Sequence, residues 1–177
     1  CGEADSNLSF KAALTMNLSM LDLQVILAAQ PGRPTAAQRE LIQSHPTRSR
    51  ALLEQAGVTE PTWLLAVEQH HVVADGSGYP QGVTVSCELA SLLNKADIYS
   101  AKLSPRSTRD ALPADRATRE IFMRDPGNPV SAALVKEFGV YPPGCYVALA
   151  SGETGVVIKR GATVMTPQVI VLFDAKG

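Results

Sequence analysis

His70-His71-Val72-Val73-Ala74-Asp75-Gly76-Ser77-Gly78-Tyr79-Pro80 sets two adjacent imidazoles before a loop that carries two glycines. Glycine lets a backbone come close to a ligand or to the body of the fold. The chain has three histidines, and the remaining one, His45, stands directly before Pro46. Asp97 falls in a mostly apolar pattern, Leu89, Leu93, Ala96 and Asp97, which recurs at helical spacing and turns the carboxylate inward. A carboxylate in such a place needs a partner. Three imidazoles and one inward carboxylate are a ligand set suited to a borderline transition metal. A surface histidine pair, a turn and an unrelated aspartate fit the spacing equally well, so the residues alone leave both readings open.

Outward from that stretch, the first 143 residues read as helical. Ala12 to Ala29 is apolar with polar interruptions and predicts a buried helix ended by Pro31-Gly32. Thr35-Ala36-Ala37-Gln38 has the form of a capping box that opens a helix toward Ser44. Pro46 suits the first turn of a following helix, which Gly57 ends. Thr59 to His71 predicts another, with Trp63, Leu64 and Val67 on its core face. Ser86 is placed to cap a helix through Leu103, and shorter helices are expected at Ala114–Arg124 and Pro129–Phe138. After Gly144 the period becomes two. Cys145–Leu149, Gly155–Lys159 and Gln168–Phe173 are rich in β-branched residues, and Ser151-Gly152-Glu153-Thr154 joins the first two. The expected fold is mainly α, a helical domain over residues 1–143 with a small antiparallel β meander over 144–177.

The chain of 177 residues is long enough for one domain with a substantial core. Its formal net charge of -1 lacks the basic surplus of a nucleic-acid binder. Cys1, Cys87 and Cys145 are odd in number and far apart, which points to free thiols in a reducing cytoplasm. No apolar run is expected to reach a membrane span and the start shows no signal-peptide pattern, so no membrane insertion is expected.

From Pro31 to Arg109 the pieces come in a fixed order: Pro31-Gly32, Thr35, His45-Pro46, His70-His71, Asp75-Gly76-Ser77-Gly78-Tyr79-Pro80, Ala96-Asp97 and Ser104-Pro105-Arg106. This ordered series resembles the HD-GYP family, bacterial metal-dependent phosphodiesterases that hydrolyse cyclic di-GMP. The resemblance implies an HD-domain-like helical bundle and assigns His45, His70 and His71 to one metal position and Asp97 to a second. It places Arg106 and Arg109 near bound phosphate, and Lys102 is a further candidate for such a contact. Their bland alternative is a solvated loop and a lysine at a helix C-terminus. Asp75, Gly76, Gly78, Tyr79 and Pro80 form the loop that meets a ligand or a partner, such as a diguanylate cyclase (GGDEF) domain. Tyr79 is equally readable as an anchor that packs the loop against the body.

The family's His-Asp doublet is replaced at the corresponding interval by Met16-Asn17, and its following Gly-Lys by Ser19-Met20. The glutamate that follows the histidine pair has become Val72. Asn17 lacks the charge of a bridging carboxylate, and Met16 offers only a soft thioether. The expectation is a degenerate domain that senses a nucleotide or docks a protein without efficient hydrolysis, holding no metal or one weakly bound ion of iron, manganese or zinc. The alternative is a working phosphodiesterase with a reduced metal site.

Overall fold

Thr35 opens the longest helix by a reciprocal pair of bonds. Its Oγ1 accepts from the Gln38 amide at 3.2 Å, while the Gln38 Oε1 accepts from the Thr35 amide at 2.8 Å. The computed structural model describes residues 3–104 and 111–173. In order these form α1 (Glu3–Thr15), a 3-10 turn (Leu18–Met20), α2 (Leu21–Ala29), α3 (Ala36–Gln55), α4 (Pro61–Gln69), α5 (Glu88–Leu103), α6 (Ala114–Arg124) and α7 (Pro129–Phe138). Strands β1 (Tyr146–Ala148), β2 (Thr154–Lys159) and β3 (Gln168–Phe173) follow. The protein is mainly helical with a small antiparallel meander, as the change of period predicts.

The described residues divide into two compact units. One holds residues 3–97, the other 98–104 and 111–173. In the first, Ala12, Leu53, Leu64, Ala66, Val67 and Leu93 make the core, with Met16, Leu18, Val58, Trp63, Cys87 and Leu89 packed against it. The Trp63 indole N–H donates to Thr15 Oγ1 at 2.8 Å, which pins α4 to the end of α1. Arg50 on α3 reaches both Glu54 and, at 2.5 Å, Glu68 of α4.

Four boundaries differ from the sequence reading. The segment 12–29 is not one buried helix: α1 ends at Thr15, and a turn and the 3-10 segment precede α2. Several of its large apolar side chains are also exposed, Leu14, Leu21, Val25 and Ile26 at 55–73%, while Met20 and Leu23 are buried. By length and composition alone Ser6–Ala29 meets the requirement for a span, with an 18-residue window of mean hydropathy 1.5, although the turn after Thr15 and the 3-10 segment interrupt it. Second, α3 does not stop at His45. It runs through Pro46 to Gln55 as one helix. Third, α4 ends at Gln69, so the histidine pair lies beyond the helix. Fourth, Cys87 and not Ser86 receives the start of α5: its Sγ accepts from the Ala90 amide and its carbonyl from the Ser91 amide.

In the second unit, Asn128 caps α7 through Oδ1, which accepts from the Val130 and Ser131 amides at 2.9 and 3.3 Å. Gly139 at φ +74° ends that helix. Tyr99 meets Thr118 at 3.3 Å between hydroxyls and the Phe138 ring at 6.2 Å. The sheet has the order β1-β2-β3, and Tyr146, Val156 and Ile170 form one cross-strand row. The Ser151–Glu153 turn joins β1 to β2 as the sequence indicates.

Candidate metal centre

A proline inside a helix removes one donor, here the amide that would bond the carbonyl of Ile42 four residues back. His45 takes that carbonyl instead, with Nδ1 2.6 Å from Ile42 O. His70 repeats the arrangement at a helix end. Val67 is among the last residues of α4, whose carbonyls lack intrahelical donors. His70 Nδ1 lies 2.7 Å from Val67 O. A carbonyl oxygen only accepts, so both Nδ1 atoms carry the proton and both Nε2 atoms present a lone pair.

Those two Nε2 atoms are 3.1 Å apart. His45 and His70 are 1% and 0% exposed. Burial holds the His45 imidazole down at about 4, offset in part by the Ile42 carbonyl and lowered further by His70. Burial also lowers His70, and it lowers His71 to about 3 with help from its two histidine neighbours. At neutral pH all three rings are therefore neutral. Two buried lone pairs then face each other with no proton between them. A cation resolves that contact.

The geometry fits one. The ligand nitrogens of His45, His70 and His71 lie within 4.8 Å of one another, so a small inward movement brings all three inside the roughly 4 Å that two nitrogens on one ion can span at bond lengths of about 2.1 Å. The 3.1 Å pair would subtend about 95° at such an ion. Asp97, half-buried on α5, acts on this group electrostatically: its charge raises His45 and contributes to raising Tyr79. The three histidines and Asp97, far apart in sequence, are thus brought together.

The glycine loop covers the cluster. Tyr79 lies 4.5 Å from the His71 ring and 6.0 Å from the His45 ring, centroid to centroid. Burial, then Asp97, pushes its phenol up to about 12, so it stays a neutral hydroxyl. The Tyr79 amide donates to the His71 carbonyl at 3.2 Å. Gly78 makes this approach possible, because a Cβ there would sit 2.2 Å from His71 O and 2.7 Å from Val73 N. Gly76, at φ +74°, turns the chain beforehand, and Asp75 Oδ1 accepts from the Ser77 amide at 2.8 Å. Tyr79 therefore packs on the histidines.

Met16 and Asn17 lie in the turn after α1, and Met16 packs against the core. They do not ride on a long helix as expected. It is Ser19, in the 3-10 turn, that reaches the His45 segment: its Oγ donates to the His45 carbonyl at 2.9 Å and its amide to the buried Ser49 Oγ at 3.1 Å. Asn94 is a second support that the sequence reading passed over, donating to the His70 carbonyl at 2.7 Å. Its spacing of three from Asp97 on one helix was the available signal. Val72, where the resemblance leads one to expect a glutamate, is buried at 7% exposure. Lys102 belongs to the second unit, where its ammonium meets Glu120 at 2.5 Å. Arg106 and Arg109 lie outside the described residues.

No family model matches the chain. A cyclic di-GMP phosphodiesterase of Pseudomonas aeruginosa is 33% identical over 156 residues, covering 83% of this chain and 37% of the relative. A 3'3'-cGAMP-specific phosphodiesterase of Vibrio cholerae is 28% identical over 110 residues, 60% of this chain and 24% of the relative. The chain thus spans little more than a third, at most, of the curated relatives it matches. With the ordered motifs, the helical body and the two phosphodiesterase relatives in agreement, the chain belongs to the HD-GYP family.

Proposed function

We propose that this is a degenerate HD-GYP domain of cyclic di-GMP signalling, a regulatory module that senses a cyclic dinucleotide or docks a partner without efficient hydrolysis. The observation that carries it is the contrast between the two halves of the site. His45, His70 and His71 supply three neutral imidazoles around one point, whereas the upstream ligand positions hold Met16 and Asn17 in a turn. In-line hydrolysis by two metals depends on a carboxylate that bridges them and fixes their spacing. Neither side chain supplies one.

On this reading the imidazoles hold no metal or one weakly bound ion of zinc, iron or manganese, which when bound would provide a Lewis acid for an anionic oxygen. The residues do the rest. Neutral histidines present Nε2, Asp97 offsets charge from beside them, and Tyr79 offers a hydroxyl donor over the cluster. The relatives' names support a cyclic dinucleotide as the ligand. Arg106, Arg109 and Lys102 are its proposed phosphate contacts, and the loop from Asp75 to Pro80 the proposed contact for a GGDEF partner. We assign the site to a helical domain of residues 1–143 and a structural or interfacial role to residues 144–177. The free thiols of Cys87 and Cys145 suit a cytoplasmic setting.

Elemental analysis of protein purified without chelator, with a calorimetric titration of cyclic di-GMP and a hydrolysis assay in added iron or manganese, tests this. At most one ion and no turnover are expected. Asp97 beside the cluster favours the alternative of a working phosphodiesterase, and clear metal-dependent hydrolysis would establish it in place of the regulatory reading.

A further inference from the structure

We infer that Pro46 is a positioning residue for His45: by lacking an amide proton inside α3 it leaves the Ile42 carbonyl to the imidazole, and so fixes which ring nitrogen faces the cluster. The inference deepens the proposed metal reading and rests on it only for its binding consequence. In an uninterrupted helix the amide of residue 46 would donate to the carbonyl of residue 42. α3 continues as a helix to Gln55 despite the proline, and Pro46 is buried. The helix therefore keeps its geometry while that one donor is missing. His45 Nδ1 takes its place at 2.6 Å.

The choice of tautomer matters because the two nitrogens face different surroundings. With Nδ1 protonated, Nε2 points its lone pair at the Nε2 of His70, 3.1 Å away. With Nε2 protonated, the ring would donate to His70 and could not ligate an ion from that atom. His70 reaches the same tautomer at a helix C-terminus, where the Val67 carbonyl is left over without any proline. Two different backbone devices thus give one outcome. Ser19 adds a further contact to the same residue, its hydroxyl donating to the His45 backbone carbonyl at 2.9 Å.

The Pro46→Ala variant restores the amide donor to Ile42 and separates a positioning role from a structural one. A proline serving the fold would leave the variant less stable. A positioning proline leaves it equally stable or more so, because a helix interior disfavours proline. Two readouts are needed on the full chain. Imidazole nitrogen-15 shifts of the metal-free protein at neutral pH should show His45 as the Nδ1–H tautomer in the wild type and a mixture, or the Nε2–H tautomer, in Pro46→Ala. Zinc titration should show affinity lower by about 10- to 100-fold in the variant, the usual effect of losing a group that orients a metal-binding histidine. A wild-type His45 protonated on Nε2 would overturn the inference whether or not the variant folds. So would a variant that keeps the Nδ1–H tautomer and full zinc affinity. If the wild type binds no zinc but the tautomer moves in Pro46→Ala, the metal reading fails and the role of Pro46 stands.

Discussion

The side-chain amide of Asn94 donates to the backbone carbonyl of His70 at 2.7 Å, three residues before Asp97 on the same helix. One face of α5 thus holds the backbone of one histidine and the carboxylate beside another. Asn94→Ala leaves the His70 carbonyl without that donor, at a cost of roughly 1–2 kcal/mol. The expected result is a lower denaturation midpoint together with weaker zinc binding. Unchanged zinc affinity would separate α5 from the histidine cluster.

Acid should destabilise the metal-free protein well before its carboxylates protonate. His45 and His71 stand at about 4 and about 3 in the folded protein, against 6.5 for the free side chain. Between pH 6.5 and those values the unfolded chain takes up protons that the folded chain refuses. Stability is therefore fully present above pH 6.5 and falls as pH drops toward 4, by on the order of 1 kcal/mol per pH unit for each buried imidazole. Urea midpoints at pH 7.5, 6 and 5 measure it. A midpoint that holds steady down to pH 5 would contradict the burial of neutral rings.

Gly78→Ala should be far more damaging than Gly82→Ala. The added Cβ at 78 meets the His71 carbonyl at 2.2 Å, and backbone cannot yield as a side-chain end can. At Gly82, φ +83°, nothing lies within 4 Å, and only the left-handed backbone is penalised. Roughly 2–3 kcal/mol against about 1 kcal/mol is expected. Thermal unfolding of the two variants reads the difference directly. Equal losses would mean that the loop does not rest on His71.

Met16→His with Asn17→Asp is expected to leave the hydrolysis of cyclic di-GMP undetectable. Both residues stand in a turn, and Met16 packs into the core. The new imidazole would have to leave that packing to reach a metal. Turnover by the double variant would show that the turn can present ligands after all.

The sequence carried the partition into helices and strands, the capping box at Thr35 and the bounds of α6 and α7, because each depends on neighbours in the chain. It also brought forward the three histidines that the fold brings together. The break of α3 expected at Pro46 failed for a tertiary reason: an imidazole on the preceding residue satisfies the carbonyl that proline abandons. Periodicity misjudged 12–29, since apolar spacing describes a face without saying whether anything covers it. Cys87 was overlooked as a cap because thiols are weak acceptors. Ser19 and Asn94 act through backbone carbonyls of residues far away in sequence, which no local pattern announces.

The apolar surface left in the open has a colloidal consequence. Phe10, Leu14 and Val25 of the first helices, and Tyr146 and Ile170 in one row of the meander, each keep half or more of their area in water. Salts that are excluded from protein surfaces strengthen the drive to hide such area, and the formal net charge of -1 gives little repulsion to oppose it. Solutions of this chain should therefore scatter light increasingly as sulfate is added near neutral pH. Replacing Val25 and Ile170 with lysine should clear them.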